Sequence, residues 1–205
     1  KIFTDYVLDF IDRKADSSFF IYYPMVLVHE PFVPTPDSPE WTNPERRYEK
    51  DTTYFADMMA YTDKIIGRIE RKLKEKGVLD NTILIFTADN GTDRQIYSST
   101  VYGEIHGAKG LHINTGNHVP MIVSWPEKVK SGKVLDALIS FNDFLPTFCD
   151  AAGINPEEYK TDGKSFLSLL TENGEEIQDE VFIHYTPRWG TFKHGRWVMN
   201  DKYKL

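Results

Sequence analysis

Residues 83–91 read Ile83-Leu-Ile-Phe-Thr-Ala-Asp89-Asn90-Gly91, an apolar run that ends directly in an acid, an amide and a glycine. Such a short, partly β-branched run predicts a buried strand of an α/β sheet, whose carboxyl end is where these sheets bind ligands. The oxygens of Asp89 and Asn90 are hard donors that suit Ca²⁺ or Mg²⁺. The same three residues are also ordinary turn chemistry, so the motif alone leaves a turn and a metal site open.

The charge balance limits the kinds of partner. The chain of 205 residues carries 31 acidic and 24 basic side chains, for a net charge of −7. An acidic chain is a poor ligand for nucleic acid, so we expect no nucleic-acid partner. An anionic substrate would need a local cluster of positive groups. No apolar run approaches the roughly 18 residues that a membrane span requires, so we expect none.

Both ends of the sequence suggest a piece of a longer protein. The chain begins at Lys1 and stops at Leu205 within what reads as a strand, so the lack of a targeting segment carries no weight. The single cysteine, Cys149, excludes an intrachain disulfide, and its apolar helical setting predicts a buried structural thiol.

Residues 1–155 alternate between helical and strand patterns. The predicted elements, in order, are a helix at 4–14, a strand at 18–29, a helix at 47–76, a strand at 82–88, a strand at 119–125 and a helix capped by Asn142 that ends at Gly153. A proline-rich loop follows the first strand, and a glycine-punctuated segment follows the second. This alternation predicts a layered α/β/α sandwich with a mostly parallel sheet.

Residues 156–205 differ in character and predict the start of a smaller C-terminal subdomain. A short helix is predicted at 165–170. Two antiparallel strands are predicted at 181–186 and 196–205, joined around a turn at Trp189-Gly190. We therefore place a domain boundary after residue 155.

Two further candidate positions follow predicted strands. His29 ends the first strand, and residues 105–121 contain no acid but include His106, Lys109, His112 and His118. In an acidic chain, that stretch is the local positive patch that an anion would need, and glycines beside Lys109 allow backbone N–H groups to approach the same anion. Taken singly, Lys109 also fits a solvated loop lysine and His29 a structural strand-end histidine. The remaining histidines, His112, His184 and His194, are interpreted as structural or solvent-exposed.

Six short motifs occur in one order along the chain. They are His29-Glu-Pro, residues 80–91 ending in Asp89-Asn90-Gly91, Gly107-Ala-Lys-Gly110, Gly116-Asn-His-Val-Pro120 with Trp125-Pro, Asn142-Asp-Phe-Leu-Pro-Thr147, and Asp162-Gly-Lys-Ser165. Each is weak alone, but together they resemble the sulfatase family of the alkaline-phosphatase superfamily. The resemblance covers most of the chain from Ser18 onward, and it corresponds to the second half of the catalytic domain plus the beginning of its C-terminal subdomain.

The resemblance implies roles for the candidate residues. Asp89 and Asn90 would contribute to a Ca²⁺ site, with Mg²⁺ as the alternative ion. Lys109 would bind and neutralise the sulfate oxygens, and His29 would bind sulfate and protonate the leaving-group oxygen. We assign His106 and His118 to the same substrate-binding patch. The implied partner is a sulfated small molecule or glycan.

Parts of the family pattern are absent from residues 1–205. Sulfatases carry a formylglycine nucleophile made from a Cys/Ser-x-Pro/Ala-x-Arg motif, which does not occur here, and Cys149-Asp-Ala-Ala-Gly does not fit it. We therefore expect formylglycine catalysis only in a longer protein and no activity from these residues alone. After Lys109, Asn114-Thr-Gly-Asn-His118 replaces the acid- and arginine-containing run of many arylsulfatases, which makes the chain look more like relatives acting on carbohydrate sulfates.

Two other interpretations compete with sulfate-ester hydrolysis. A two-zinc phosphatase or phosphodiesterase of the same superfamily would place Asp-His-Gly after the strand, and Asn90 favours a hard ion over zinc. A non-catalytic, sulfatase-like protein is the other interpretation. The resemblance favours a periplasmic or secreted location over the cytoplasm.

Overall fold

A computed structural model describes residues 1–155, 158, 160–171, 174, 177–186 and 195–205. Contacts divide the chain into two units, Lys1–Trp125 and Pro126–Leu205. The domain boundary that we predict after residue 155 lies inside the second unit and stays a prediction.

The described residues form α-helices, β-strands and two short 3₁₀ turns. The helices are α1 (Ile2–Lys14), α2 (Tyr54–Glu75), α3 (Asn114–Asn117), α4 (Phe144–Ala151) and α5 (Leu167–Thr171). The strands are β1 (Leu84–Thr87), β2 (Tyr97–Thr100), β3 (Gly103–His106), β4 (Met121–Ser124), β5 (Val181–Tyr185) and β6 (Gly195–Met199). The 3₁₀ turns are Pro39–Thr42 and Phe141–Asp143. Within this part of the chain, every helix is too short or too polar to cross a membrane.

Helices α1 and α2 pack side by side through one apolar stripe each. Val7 and Ile11 of α1 and Leu73 of α2 form a buried cluster, as the predicted period of three and four residues requires. Charged pairs border this seam: Arg68 lies 2.7 Å from Asp5, and Lys76 and Lys72 reach the carboxylate of Asp12.

Helix α2 begins later than the predicted helix at 47–76. The helix begins at Tyr54 because Asp51 forms a turn of its own, in which the Asp51 carboxylate accepts a hydrogen bond from the Thr53 N–H at 2.8 Å. Its end is as predicted. Gly77 has a φ of 70°, and the Val78 N–H donates to the Leu73 carbonyl at 3.0 Å, which is a Schellman ending.

The predicted strand at residues 18–29 is wrong in one respect. The segment is extended, and its side chains alternate between half-buried and exposed from Phe19 to Val26, but it pairs with none of the strands that the structure describes. Its inward-facing side chains, including Phe19 and Ile21, pack on the buried cluster of α1 and α2. Side-chain packing therefore holds the segment extended where a hydrogen-bonded ladder was expected.

The sheets are smaller than the predicted one. In the described residues β1 pairs antiparallel with β4, β2 with β3, and β5 with β6, so the pairing differs from the mostly parallel sheet that alternation predicts. The strands β1 and β4 themselves lie where the sequence predicts them. The hairpin β2–β3 lies in the segment that we interpret as a glycine-rich loop, because its strands are short and polar and Gly103 and Gly107 lie within it and just after it.

In the second unit, a buried acid organises the chain around α4. Asp143 is 1% exposed, and its carboxylate accepts hydrogen bonds from the backbone N–H groups of Ser140 and Lys164 at 2.7 and 2.9 Å. Ser140 and Asp143 form the capping box at this helix start, so the predicted cap at Asn142 is wrong. The predicted end at Gly153 is confirmed by its φ of 71°.

The last strands agree with the sequence in type but not in length. β5 and β6 are antiparallel as predicted, but β6 stops at Met199. The Asn200 side chain then accepts hydrogen bonds from the backbone N–H groups of Lys202 and Tyr203, which turns the chain so that Leu205 pairs with Val198. The predicted turn at Trp189-Gly190 lies outside the described residues. The predicted short helix is present as α5.

Candidate functional site

The chain that follows β1 is folded back on itself by backbone hydrogen bonds. The Gly91 N–H donates to the Gly116 carbonyl at 3.0 Å, which brings the Asp89-Asn90-Gly91 turn against α3. A Cβ atom at Gly91 would lie 2.1 Å from the Thr115 carbonyl oxygen. Glycine is therefore required here by a close backbone approach, beyond the turn flexibility that the sequence suggests.

A second backbone crossing lies immediately before Lys109. The Gly107 N–H donates to the Ile96 carbonyl at 2.9 Å, and the Lys109 N–H donates to the Thr92 carbonyl at 2.9 Å. A Cβ atom at Gly107 would lie 2.0 Å from the Asp93 carbonyl oxygen. The residues just before and just after the hairpin β2–β3 are therefore bonded to each other. These bonds hold Lys109 beside the chain that follows Asn90.

The structure brings His29 and Lys109 together although 80 residues separate them. The Lys109 Nζ atom lies 2.7 Å from the His29 Nε2 atom. His29 Nδ1 lies 2.7 Å from the Glu30 carbonyl oxygen, which can only accept, so Nδ1 carries a proton. Nε2 is then the acceptor of the Lys109 ammonium hydrogen bond in the neutral ring.

The pair places an ammonium nitrogen and an imidazole nitrogen side by side. The Lys109 ammonium offers further N–H donors and a positive charge, which suit the oxygens of an anion. The ring of His29 is oriented by its own backbone contact, with Nε2 directed at the ammonium. His29 is exposed and Lys109 half-buried, so a ligand can reach both side chains.

His106 is placed differently from its predicted role. Its ring stacks on Tyr97 with the two ring centres 4.1 Å apart, and its Nε2 lies 2.6 Å from the Arg94 carbonyl oxygen. The carbonyl accepts, so Nε2 donates. In this geometry His106 joins the hairpin to the loop that contains Arg94, while a direct contact with substrate stays a prediction.

His118 lies at the end of α3. Its backbone N–H donates to the Asn114 carbonyl at 2.8 Å, and its residue is exposed. It is two residues beyond Gly116, whose carbonyl holds the turn at Gly91. The backbone therefore brings His118 into the same loop assembly, and its contact with substrate stays a prediction.

Asp89 and Asn90 follow β1 after one intervening residue, Ala88, with Asp89 exposed and Asn90 half-buried. A carboxylate and an amide oxygen fit a hard cation in kind. Within the described residues, no group of three or more His, Cys, Asp or Glu side chains is placed to hold a metal. A Ca²⁺ ion takes six to eight oxygens, so these two residues would need further donors to complete its coordination.

Sequence reasoning missed the polar residues that surround the pair. Arg94 donates from Nε to the Lys109 carbonyl at 2.8 Å, and Gln95 donates from Nε2 to the Glu30 carboxylate at 3.2 Å. Asp93 accepts from both the backbone and the side chain of Gln95. An Asp two residues before Gln95 is a recognisable turn signal, whereas nothing in the sequence marks the Arg94 contact.

Comparisons with known proteins identify the family of the chain. The family model described as Sulfatase matches residues 1–154. The chain belongs to the sulfatase family. A second model, described as N-sulphoglucosamine sulphohydrolase, C-terminal, matches residues 108–205. Among curated relatives of this sulfatase, the uncharacterized sulfatase YdeN of Escherichia coli K12 is 32% identical over 197 residues, which cover 91% of the chain and 34% of that protein.

Solved structures show the same fold. The crystal structure of Ps i-CgsB superimposes with a TM-score of 0.76 at 24% identity, covering 98% of this chain and 44% of that chain. A structure of BT4656 in complex with its substrate D-glucosamine-2-N,6-O-disulfate gives a TM-score of 0.58 at 24% identity, covering 78% and 31%. The predicted α/β fold class is thereby confirmed. The chain spans about one third of the length of the curated relatives it matches.

Proposed function

We propose that this sulfatase, as a complete protein, hydrolyses sulfate esters at the site formed by His29 and Lys109. The observation that supports the proposal is the 2.7 Å contact between Lys109 Nζ and His29 Nε2, in a chain of this family. A flexible lysine and a distant histidine meet here at one point in a chain of net charge −7. That arrangement gives an anionic group a local site that the overall charge would otherwise oppose.

The two residues have separate tasks in the proposed reaction. The ammonium of Lys109 donates to the sulfate oxygens and offsets the negative charge that accumulates on them. His29 takes up a proton from solvent on Nε2, which ends the hydrogen bond from Lys109. The new N–H binds the ester and gives its proton to the leaving-group oxygen as the S–O bond breaks. Since Nδ1 stays bonded to the Glu30 carbonyl, the ring keeps its orientation in both protonation states.

We also propose a metal ion and a nucleophile for the complete site. Asp89 and Asn90 would supply two oxygens to a Ca²⁺ ion, or to Mg²⁺, which neutralises charge on the sulfate. The formylglycine nucleophile would come from outside residues 1–205, because the required motif does not occur within them. We expect residues 1–205 by themselves to hydrolyse no sulfate ester.

The proposed substrates are sulfated carbohydrates. Support comes from two of the solved structures that share the fold: Ps i-CgsB is known in complex with k-i-k-neocarrahexaose, and BT4656 with a disulfated glucosamine. The exposed position of His29 is compatible with a bulky ester on the leaving-group side. His106 and His118 are the proposed additional substrate contacts.

The test is hydrolysis of 4-nitrophenyl sulfate and of sulfated oligosaccharides by the complete protein, with released sulfate measured. Lys109→Ala and His29→Ala should each lower kcat/KM by about 10²–10⁴, because each removes a group needed in the transition state. Lys128→Ala serves as the control, since the Lys128 ammonium pairs with the adjacent Glu127 at the surface.

Three results would contradict the proposal. A complete protein that contains no Cys/Ser-x-Pro/Ala-x-Arg motif would exclude formylglycine catalysis. Two tightly bound zinc ions with preferred hydrolysis of 4-nitrophenyl phosphate would indicate a phosphatase instead. Full activity in Lys109→Ala would show that the site lies elsewhere.

A further inference from the structure

We propose that residues 92–96 act as a brace that fixes the distance between His29 and Lys109, and that Arg94 is its principal positioning residue. This inference rests on the proposed function for its kinetic consequences. The contact between the two site residues joins long, flexible or exposed groups from distant parts of the chain. The brace, defined as residues 92–96, bonds to the backbone of Lys109 and to the side chain of Glu30, the residue that follows His29.

The brace binds both backbone polar groups of Lys109. The Lys109 N–H donates to the Thr92 carbonyl at 2.9 Å. The Lys109 carbonyl accepts from Arg94 Nε at 2.8 Å. Because both peptide groups of this residue are bonded to one short segment, the Cα position of Lys109 follows the brace. The Nζ atom is then confined to the few rotamers that start from that fixed point.

Arg94 is itself held from the other side. Its carbonyl accepts from His106 Nε2 at 2.6 Å, and His106 is pinned by its stacking on Tyr97 across the β2–β3 pair. The backbone of Arg94 is thus bonded to the strand before Lys109, and its side chain to Lys109. A closed ring of contacts runs through Arg94, Lys109 and His106. This gives His106 a role in the site without requiring it to contact substrate.

The other end of the brace reaches the residue beside His29. Gln95 donates from Nε2 to the Glu30 carboxylate at 3.2 Å, and the carbonyl of Glu30 is the group that orients the His29 ring. Next in the chain, Ile96 is 4% exposed and packs in a cluster with Phe32, against which Val28 also lies. The brace is therefore anchored in the core on the His29 side.

The physical reason for such a brace is preorganisation. A lysine side chain loses much rotamer freedom when it is fixed, and a site that must fix it during the reaction adds that entropy loss to the barrier. Holding the backbone and one rotamer family beforehand lowers that cost. Arg94 supplies this without contacting the sulfate, so its effect should pass through Lys109.

The experiment compares Arg94→Gln, Arg94→Lys and Arg13→Gln in the complete protein, with 4-nitrophenyl sulfate as substrate. Arg94→Gln should lower kcat/KM about tenfold, because a misplaced Lys109 costs transition-state stabilisation. Arg94→Lys, which keeps a charged donor, should recover to within about threefold of the unaltered protein. Arg13→Gln removes an equally charged residue that pairs with Asp9 and lies over the Phe10 ring on α1, and should leave the rate unchanged.

A double-mutant cycle separates positioning from a general structural effect. In the Lys109→Ala background, Arg94→Gln should change kcat/KM by less than about twofold, because the residue it positions is already gone. An equal tenfold loss in both backgrounds, or no loss in either, would overturn the brace. Equal loss in Arg94→Lys and Arg94→Gln would also count against it, since the retained charged donor would then do nothing.

A second readout needs no activity. The ¹⁵N shift of His29 Nε2 reports its hydrogen bond from Lys109, so Arg94→Gln should move it toward the value found in Lys109→Ala. If the complete protein hydrolyses no sulfate ester but Arg94→Gln changes the His29 Nε2 shift, the proposed function is refuted and the brace is supported. An active protein whose Nε2 shift is the same with and without Arg94 would retain the function and refute the brace.

Discussion

Two regions of the first unit are held together by opposite means. The α1–α2 pair is regular, and buried side chains such as Ile11 and Leu73 join its helices. The site loops, residues 89–118, contain only short helix and strand segments and are joined backbone to backbone, with Gly91 and Gly107 at the points of contact. In the helix pair, removing a side chain should lower the free energy of unfolding. In the site loops, adding a side chain at a glycine should lower it.

This contrast shows how a binding site can be precise without a large core. A lysine on an irregular loop is normally mobile, but two backbone hydrogen bonds and a close-packed glycine fix the chain on either side of Lys109. Backbone contacts need no bulky side chains, so the polar face of the loop stays open for ligand.

Leu73→Ala should lower the free energy of unfolding by about 3 kcal/mol. Leu73 is 2% exposed and clusters with Val7 and Ile11, so truncation removes buried apolar contacts and leaves a cavity. Urea unfolding followed by helix circular dichroism measures the change. Met59→Ala is the matched control, because Met59 lies on the exposed side of α2 at 43% exposure and its truncation should change stability by less than about 0.5 kcal/mol. Equal losses in both variants would mean that the seam does not hold the pair.

Gly107→Ala should lower the free energy of unfolding by about 2 kcal/mol, since the new methyl group forces the chain to shift. Its Cβ would lie 2.0 Å from the Asp93 carbonyl oxygen, and backbone cannot move aside as the end of a side chain can. The same urea experiment measures the loss. The His29 Nε2 shift should change as well, because the displaced segment leads directly into Lys109.

Gly67→Ala is the control for that substitution. Gly67 lies inside α2, and the nearest group to its new Cβ would be the flexible Arg71 Nη1 at 3.3 Å. Alanine should therefore raise stability by about 0.5–1 kcal/mol through helix propensity. Both changes restrict the unfolded chain equally, so the difference between them isolates the folded structure. Destabilisation of the same size by both would contradict the claim that backbone contact makes Gly107 necessary.

The sequence predicts the two regions unequally well, for a physical reason. Side-chain burial on a helix repeats every three or four residues, so α1 and the end of α2 at Gly77 can be found from the pattern. The density of Phe, Ile, Tyr and Val likewise predicts the extended segment that begins near Ser18. It cannot predict a strand partner, because pairing depends on residues elsewhere in the chain, and the segment pairs with none of the described strands.

In the site, residue types were predictable and most contacts were not. The strand ends and the charge pattern indicate His29, Asp89 and Lys109 as candidates, and the structure shows His29 and Lys109 in contact. Arg94 cannot be identified from the sequence, because its side chain contacts a backbone carbonyl and no complementary side chain marks that contact. The role of Gly107 as a contact point, beyond turn flexibility, also depends on a chain crossing that has no local signature.

The smallest expected effect concerns the charged pairs that border the α1–α2 seam. A hydrogen bond from Lys76, with its charge and that of Lys72, lowers the pKa of Asp12 below its ordinary value of 3.8. A hydrogen bond from Arg68 lowers the pKa of Asp5 in the same way. A carboxyl group whose pKa is lower in the folded state stabilises the fold above its unfolded pKa, and that contribution is lost as pH falls through the folded value.

Asp12→Asn should therefore lower the urea midpoint slightly at neutral pH, with the gap to the unaltered protein closing as pH falls below about 4. Salt should reduce the gap at neutral pH, because the pair is at the surface. Asp16→Asn, just beyond the end of α1, is the matched control, since Asp16 takes part in none of the ion pairs that the structure describes. A gap that persists unchanged at low pH would mean that the Asp12→Asn substitution acts through packing or helix propensity. The stability of the helix pair would then come from its apolar seam alone. The two regions would differ more sharply, since the site loops are joined by polar contacts.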